Sequence, residues 1–378
     1  MAKDVPGYLA EQQRKCSGEL AQEWATLEEY YTKRLWHQLT LKMQTFVKNP
    51  VFAQGDGLVK LYHNFISDFE HRISPIALVQ IAVYIARAMK DPKEALDFWE
   101  SLKEKVKSSD ESTLLVMTSQ GNIHLNQKNM DQVKAIITEA EKVLDAIDGI
   151  TAVHGSFYDM SSRYHKLMGN HADYYTHALR FLGCTELSDI PVSEQKDSAF
   201  NLGLAAILGT GVYNFGELLA HPLLDVLKGG DKQWLVDLLY AFNSGNIRKF
   251  EELKPKWVKQ ADLQPREAII REKISLLCLM EMTFKRPATD RTLTFQEIAE
   301  ATGLPLNEVE LLIMKALSLD LVRGLIDQVD AQVHMTWVQP RVLDKDQIST
   351  MQKKLKQWCL DVNSIEQLVE VKAEDILT

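Results

Sequence analysis

The chain has 378 residues, of which 46% are hydrophobic and 25% are charged, and its formal net charge is −9 at pH 7. That size provides material for a large core and more than one domain, while the negative charge argues against a nucleic-acid or anionic-membrane partner. The cysteines (Cys16, Cys184, Cys278 and Cys359) lie far apart, form no CxxC pair, and follow no apolar signal segment. We therefore expect reduced thiols and a location in the cytoplasm and nucleus.

Turn signals recur through the first two thirds of the chain. They fall about 34 to 42 residues apart, which is typical of helix-turn-helix units in a right-handed, tetratricopeptide-like solenoid. The signals are Gly55-Asp56, Asp91-Pro92, Asn129, Gly169-Asn170, Gly211 and Gly245-Asn246. We predict that residues 1–165 form an N-terminal helical-repeat arm.

From about residue 276 the repeat pattern is replaced by separate helices with clear start and stop signals. Thr294 and Glu297 have the spacing of a capping box, in which each side chain satisfies a free backbone N–H at a helix start. Gly303 can end that helix in a left-handed conformation, and Pro305 lies where the next helix begins. In this second helix, apolar residues recur at steps of three and four and predict one buried face. They are Val309, Leu312, Ile313, Ala316 and Leu317.

Two strands are predicted after these helices, at Leu321–Asp327 and Gln332–Gln339. In the second, Val333, Met335 and Trp337 alternate with His334 and Thr336, so we expect Met335 and Trp337 to face the core. An order of three helices and two strands is typical of a winged helix. One edge of its sheet would remain open to a neighbour's strand, and we place His334 and Thr336 at that interface.

The charge of this module argues against DNA binding. Its recognition helix carries Glu308, Glu310 and, just beyond it, Asp320, against a single Lys315. Phosphate contacts require Lys or Arg at such positions. We expect protein contact instead. A nucleic-acid-binding winged-helix regulator is the alternative.

Motifs for chemistry are incomplete. The stretch GVYNFGEL has glycines at phosphate-loop spacing, but Glu217-Leu218 replaces the Lys-Ser/Thr that would hold phosphate and magnesium. The sequence lacks HExxH, His-x-His and Gly-x-Ser-x-Gly motifs. A loose group of histidines has no metal-ligand spacing; it comprises His154, His165, His171 and His177. We therefore expect no catalytic, cofactor-binding or metal-binding residues, with an unrecognised hydrolase as the weaker alternative.

The tail, residues 346–378, contains a heptad repeat. Its apolar residues follow alternating steps of three and four, which predicts a helix that bundles with other helices through knobs-into-holes packing. They are Ile348, Met351, Leu355, Trp358, Val362, Ile365 and Val369. The alternative is that this helix folds back onto its own winged helix.

Helical repeats, a winged helix and a long C-terminal helix occur together in one known family. The segments GNHADYYTHALRFLGC, WLVDLLYAFNSGNIRKFEELK and VHMTWVQPRVLD closely resemble PCI-domain subunits of the proteasome regulatory particle lid. The resemblance implies a mostly α chain, with a solenoid running into a winged helix and a long C-terminal helix. It places the PCI domain at 166–345, with helical part 166–265 and winged helix 266–345, and a bundle helix at 346–378.

The same resemblance implies a function. It indicates a non-catalytic structural subunit that supports lid assembly and ubiquitin-dependent degradation. Its partners would be other lid subunits, contacted through the winged-helix edge and the C-terminal helix bundle in a hetero-oligomer, with no nucleic acid and no membrane. Within the same class, a subunit of the signalosome or the initiation-factor complex is the alternative.

Overall fold

The computed structural model of the protein describes residues 5–15, 18–49, 56–287, 290–343 and 345–372. They form two compact units. The first extends to Gly169 and includes Thr176–Glu186, and the second combines Asn170–Tyr175 with the residues from Leu187 onward. Helices predominate in both, and the second contains a three-stranded sheet. The mostly α fold class is confirmed.

The first unit consists almost entirely of successive helices. These helices are α1 (Val5–Lys15), α2 (Glu19–Thr32), α3 (Trp36–Phe46), α4 (Gly57–Leu61), α5 (Ser67–Phe69), α6 (Pro75–Ala88), α7 (Pro92–Val106), α8 (Asp110–Asn126), α9 (Met130–Leu144) and α10 (Ala152–Met168). A π-helical turn, Tyr62–Ile66, links α4 to α5. The next helix, α11 (His171–Cys184), begins within the second unit and ends within the first.

Predicted turns of the repeat pattern separate helices in this unit. Asp91 precedes α7 and accepts a hydrogen bond from the backbone N–H two residues on, at 3.0 Å, with Pro92 at the first helical position. Asn129 precedes α9, and Gly169 ends α10 with a φ of 72°. Gly55 lies outside the described residues. The turn signals at Asp91, Asn129 and Gly169 therefore coincide with helix boundaries in the structure.

Two clusters of apolar side chains hold the first unit together. One includes Phe46, Phe65 and Trp99, and the other includes Met160 and Phe157, all fully buried. Full burial of one such side chain contributes roughly 1.5–3 kcal/mol. Packing between neighbouring helices is thus the main source of stability for this unit.

The second unit continues the helices and then becomes a winged helix. Its helices are α12 (Val192–Leu208), α13 (Gly216–Ala220), α14 (Gln233–Asn243), α15 (Ile247–Glu252), α16 (Lys254–Trp257), α17 (Glu267–Lys285), α18 (Phe295–Thr302), α19 (Leu306–Ser318) and α20 (Lys345–Lys372). Its strands are β1 (Thr292–Thr294), β2 (Val322–Asp327) and β3 (Gln332–Val338).

The predicted capping box is present at the start of α18. Glu297 N–H donates to Thr294 Oγ1 at 3.2 Å, and Thr294 N–H donates to Glu297 Oε2 at 2.9 Å. Gly303 ends the helix with a φ of 66°, and Pro305 immediately precedes α19. Four of the five residues predicted for the buried face of α19 are buried, and Leu317 is half-buried. The winged helix is confirmed.

The sheet has one strand more than the sequence predicted. Its order is β1-β3-β2, with both pairs antiparallel. β1 has only three residues, and such a short stretch carries no readable alternation. Because β1 covers one side of β3, β3 is the central strand, and the open edges belong to β1 and β2.

A bulge corrects the predicted orientation of Trp337. The register of β2 against β3 shifts between Arg323 and Gly324, so that Gly324 pairs with Met335 and Arg323 pairs with Trp337. A Cβ at Gly324 would lie 2.4 Å from the carbonyl oxygen of His334, so the close approach requires glycine. Met335 is buried as predicted. Trp337 is only half-buried, and its ring centroid lies 4.6 Å from the guanidinium carbon of exposed Arg323.

A buried lysine fixes α17 to the end of α12. Lys273 Nζ donates to the carbonyl oxygens of Ala206 at 2.7 Å, Ile207 at 3.1 Å and Gly209 at 2.8 Å. These are among the carbonyls that a helix C-terminus leaves without partners, and the helix dipole favours a cation there. Burial lowers the pKa of Lys273 to about 7. The side chain therefore acts as a long-range helix cap.

Lys273→Met should reveal this cap as a pH-dependent loss of stability. Removing the amine leaves buried carbonyls unpaired, at a cost of about 1–3 kcal/mol. Because the folded-state pKa is about 7 and the ordinary value is 10.5, the unfolded chain binds more protons between these values. Stability of the wild type should therefore rise across that window relative to the variant.

Urea unfolding at several pH values from 7 to 10 measures this difference. Exposed Lys249, replaced by methionine, is the matched control and should give a difference that does not change with pH. A free-energy difference for Lys273→Met that shrinks as the pH rises would contradict the assigned burial.

Met335→Ala should destabilise the chain more than Trp337→Ala. Met335 is a buried core residue, for which truncation costs about 2–5 kcal/mol. Trp337 is half-buried, and its contact with Arg323 contributes about 0.5–1 kcal/mol at an exposed site. Chemical denaturation of both variants compares the two. An equal loss would show that the bulge does not set the strand faces.

Candidate assembly surfaces

The C-terminal helix α20 exposes its heptad residues. The seven predicted seam positions (Ile348, Met351, Leu355, Trp358, Val362, Ile365 and Val369) are between 44% and 64% exposed. Every residue from Ile348 to Lys372 is exposed, over a helix of 28 residues. The helix does not fold back onto its own winged helix. Its apolar seam is unpartnered within the described chain.

More apolar side chains of α20 lie outside that seam. Leu360, Leu368 and Val371 are 60%, 55% and 74% exposed. In the heptad that starts at Ile348, Leu360 occupies position f, opposite the seam. These residues do not share the periodicity of the seam, so the heptad repeat does not include them. Apolar groups on several sides of a helix favour burial among more than one partner helix.

A buried ion pair anchors the segment that leads into α20. Arg341 Nη2 lies 2.5 Å from Glu281 Oε2 of α17, and the two side chains are only 9% and 10% exposed. Arg341 Nη1 also donates to the carbonyl oxygen of Asn243, at the end of α14, at 3.1 Å. The chain leaving β3 is thus tied to two helices before α20 begins.

The glycine-containing stretch GVYNFGEL supplies a second anchor. Asn214 Oδ1 accepts hydrogen bonds from Gly216 N at 3.2 Å and from Val342 N at 3.3 Å. A Cβ at Gly216 would lie 2.5 Å from Val342 Cβ, so only glycine leaves room for the segment. The stretch has the glycine spacing of a phosphate loop, but in the structure it packs against the segment at Val342.

A hollow of about 370 Å³ lies beside this anchored segment. Phe284, Trp337 and Pro340 contribute to its lining, and Gln347 of α20 lies at its border. Arg291 also lines it, and its Nε atom is buried with no hydrogen-bond partner among the described residues. The hollow places apolar surface and the Arg291 guanidinium next to the start of the exposed seam.

The structure places the two polar residues that were predicted for an interface on the face of the sheet. His334 and Thr336 belong to the central strand β3 and are exposed. His334 Nδ1 lies 2.9 Å from Thr292 Oγ1 of β1, and Thr336 Oγ1 donates to the carbonyl oxygen of Arg323 of β2 at 3.1 Å. The edges of the sheet are β1 and β2. A neighbour's strand could therefore add at β1 or β2 but not at β3, where His334 and Thr336 lie.

The recognition helix α19 presents an apolar outer surface. Leu306, Leu311 and Met314 are 58%, 63% and 52% exposed. Its cation, Lys315, is engaged by Glu272 at 2.8 Å. A major-groove reader needs free cations on this surface, so its arrangement is suited to protein rather than phosphate.

Cations elsewhere in the winged helix are also engaged. Arg323 pairs with Asp320 at 2.8 Å, and Arg286 pairs with Glu297 at 2.5 Å. The hydrogen bonds from Arg323 lower the carboxyl pKa of Asp320. At Glu297 the cap hydrogen bond from Thr294 N–H lowers the carboxyl pKa most, and the pair with Arg286 adds to it. Internal pairing leaves little positive charge for a polyanion.

The histidines predicted as a loose group are held in separate structural roles. His154 Nδ1 accepts from Thr151 N at 3.1 Å and caps α10. The rings of His165 and His177 stack with centroids 5.1 Å apart, whereas His171 belongs to the second unit. Within the described ranges, no three His, Cys, Asp or Glu side chains are grouped as metal ligands would be.

The cysteines have the character of unreactive thiols where they are buried. Cys184, Cys278 and Cys359 are free, and Cys16 lies outside the described residues. Burial raises the pKa of Cys278 to about 11 and also raises that of Cys184. A raised pKa disfavours the thiolate that nucleophilic catalysis needs. In the part of the chain that the structure covers, no helix is long and apolar enough to cross a membrane.

Two family models match the chain over consecutive regions. The model described as PSD13 N-terminal repeats matches residues 23–239, and the PCI domain model matches residues 248–337. The first covers most of the helical region, and the second covers the end of that region and the winged helix up to Trp337.

Relatives match over nearly the full chain. The 26S proteasome non-ATPase regulatory subunit 13 homolog A of Arabidopsis thaliana is 38% identical, over 95% of this chain and 96% of its own length. The 26S proteasome non-ATPase regulatory subunit 13 of Dictyostelium discoideum is 35% identical over 100% of both chains. The eukaryotic translation initiation factor 3 subunit M of Neosartorya fischeri is 23% identical over only 50% of this chain and 41% of its own. By the repeats and the full-length relatives together, the chain belongs to the family of 26S proteasome non-ATPase regulatory subunit 13.

Proposed function

We propose that the chain is a non-catalytic structural subunit of the proteasome regulatory particle lid, and that it supports lid assembly and thereby ubiquitin-dependent degradation. The observation that carries this proposal is the exposed seam of α20. The full-length relatives are named as subunits of the 26S proteasome, and these names support the choice of complex. The weaker, half-length likeness to an initiation-factor subunit gives less support to the alternative scaffolds.

The seam has enough apolar surface to drive assembly. Each of its seven side chains contributes roughly 1.5–3 kcal/mol if fully buried, so the set contributes on the order of 10–20 kcal/mol before the cost of association. Left unpartnered, such a stripe on a soluble chain promotes aggregation. A helix bundle with other lid subunits is the arrangement that buries it.

The proposal assigns each region of the chain to one part of the subunit. Residues 1–165 form the repeat arm, residues 166–345 form the PCI domain, and residues 346–378 form the bundle helix. His334 and Thr336 would contact a neighbouring subunit from the exposed face of the sheet, and any added strand would pair with β1 or β2. We place the assembled subunit in the cytoplasm and nucleus.

Truncation after Asp344 should prevent stable incorporation into the lid while leaving the rest of the chain folded. No residue of α20 from Ile348 onward is buried against the chain, so its removal should cost little thermal stability. Leu355→Asp combined with Val362→Asp should have the same effect, because two carboxylates in the bundle interior would lack partners. Co-expression with the other lid subunits, followed by native electrophoresis, measures incorporation.

Gln357→Asp combined with Ser364→Asp is the matched control. It introduces two carboxylates with the same seven-residue spacing, at heptad position c rather than in the seam. This control should enter the complex as the wild type does. Normal incorporation of the truncated chain would show that α20 is not the assembly element.

The purified chain should not bind duplex DNA or RNA above background at physiological salt. Non-specific binders typically reach dissociation constants of about 10⁻⁴ to 10⁻⁶ M under those conditions. Here the described cations of the recognition helix and wing are paired with carboxylates. Fluorescence anisotropy with labelled duplexes tests this. Micromolar binding that weakens steeply with added salt would favour the nucleic-acid alternative.

A further inference from the structure

Two adjoining hollows in the first unit lie along α3 and α6. One, of about 360 Å³, is lined by Trp36, at the start of α3, and by Ser74, which precedes α6. The other, of about 370 Å³, is lined by Lys48, just after α3, and by Arg87, near the end of α6. Gln44 lines both. Together they form a groove roughly 18–20 Å long, at 1.5 Å per helical residue, called the α3–α6 groove below.

The groove combines apolar hollows with amide groups. Trp36 is half-buried, and neighbouring Leu41 is 53% exposed, at one end. Tyr84 is half-buried at the other end. Between them, Gln44 Nε2 donates to Gln80 Oε1 at 2.8 Å. This pair retains one amide oxygen and further N–H groups, which suit the backbone of a bound peptide.

The charge of the groove is opposite to that of the chain. Lys48, Arg72 and Arg87 are exposed and line it, and none of them pairs with a carboxylate of a described residue. By contrast, Lys42 of the same helix α3 pairs with Glu23 at 2.8 Å. None of the described lining residues is acidic. Free cations are thus gathered here in a chain of net charge −9.

One of these cations is oriented by an aromatic ring. The guanidinium carbon of Arg87 lies 5.8 Å from the centroid of the Tyr84 ring. Such a contact restrains the side chain while leaving its N–H donors available, and a guanidinium can bind a carboxylate in bidentate fashion. Arg87 is therefore positioned to receive an acidic group at that end of the groove.

We propose that the α3–α6 groove binds an acidic segment of a protein partner. Carboxylates of the segment pair with Lys48 and Arg87 at one end and with Arg72 at the other, and apolar side chains between them enter the two hollows. An extended segment of about six residues spans this length, at roughly 3.3 Å per residue. Electrostatic attraction adds to the rate and specificity of such a contact.

A protein segment fits these features better than a nucleic acid. Apolar hollows separated by a glutamine pair match the side chains of a peptide, whereas a polyanion prefers a continuous run of cations along its backbone. The net charge of −9 opposes the approach of a polyanion to the molecule as a whole.

The groove and α20 are separate contact surfaces. The groove belongs to the first unit and α20 to the second. Loss of binding at the groove should therefore leave assembly through α20 intact, so this inference goes beyond the proposed function and can fail independently of it.

The test uses the purified full-length chain and a fluorescein-labelled acidic peptide of about eight residues, long enough to span the groove, in which glutamate alternates with leucine and tyrosine. Anisotropy should show micromolar binding that weakens with added salt. Lys48→Glu combined with Arg87→Glu should weaken it at least about tenfold, a difference of about 1.4 kcal/mol. Both residues are exposed, so the fold should persist, which circular dichroism and thermal melting verify.

Two further variants sharpen the test. Lys134→Glu combined with Lys142→Glu makes the same charge change on exposed residues of α9, outside the groove, and should leave binding unchanged. Ser156→Lys adds a cation at an exposed position on the lining, and should strengthen binding. A gain of affinity cannot arise from misfolding.

Several outcomes would overturn the inference. One is that the acidic peptide binds no more tightly than a matched peptide with glutamine in place of glutamate. A second is that the groove variant and the α9 variant bind the peptide equally. A third is that an oligothymidylate of similar length binds as tightly as the acidic peptide, which would assign the groove to polyanions in general.

Discussion

The buried pair of Arg341 and Glu281 determines where the C-terminal helix begins. Removing two such charges from water is costly, and the pair is stable only where its geometry and further hydrogen bonds compensate for that cost. Here the carbonyl oxygen of Asn243 provides the additional acceptor. A strongly distance-dependent contact of this kind permits one arrangement of the segment after β3. Asn214 Oδ1, which also accepts from Gly216 N, accepts from Val342 N and so holds the next residue of this segment beside the start of α13.

Local signals in the sequence were sufficient for much of the fold. The capping box at Thr294, the left-handed end at Gly303 and the turn before α9 each depend on residues within a few positions of one another. The seam of α20 was also readable, because a heptad repeat is a property of one helix. Under the proposed function its partners belong to other chains, and the periodicity indicates only that partners are needed.

Contacts between distant residues escaped sequence analysis. Lys273 reaches carbonyls 64 to 67 residues earlier in the chain, and Asn214 and Val342 are 128 residues apart. Their pairing follows from how helices pack, which no short pattern encodes. The bulge at Gly324 is a similar case. Alternation predicts an inward Trp337 only if the register is continuous, and the steric need for glycine opposite His334 is visible only once the strands are paired.

The isolated helix α20 is the least supported element of the described chain. A helix that is exposed from Ile348 to Lys372 depends mainly on its own hydrogen bonds and propensities there, and these give only marginal stability in water. Binding that occurs only with the helical form adds stability by mass action, so helix formation and association become linked. The buried pair of Arg341 holds the segment that precedes α20, so that part of the chain is already ordered before association. An anchored segment followed by an exposed helix suits a subunit whose C-terminal helix becomes fully stable only within the assembly.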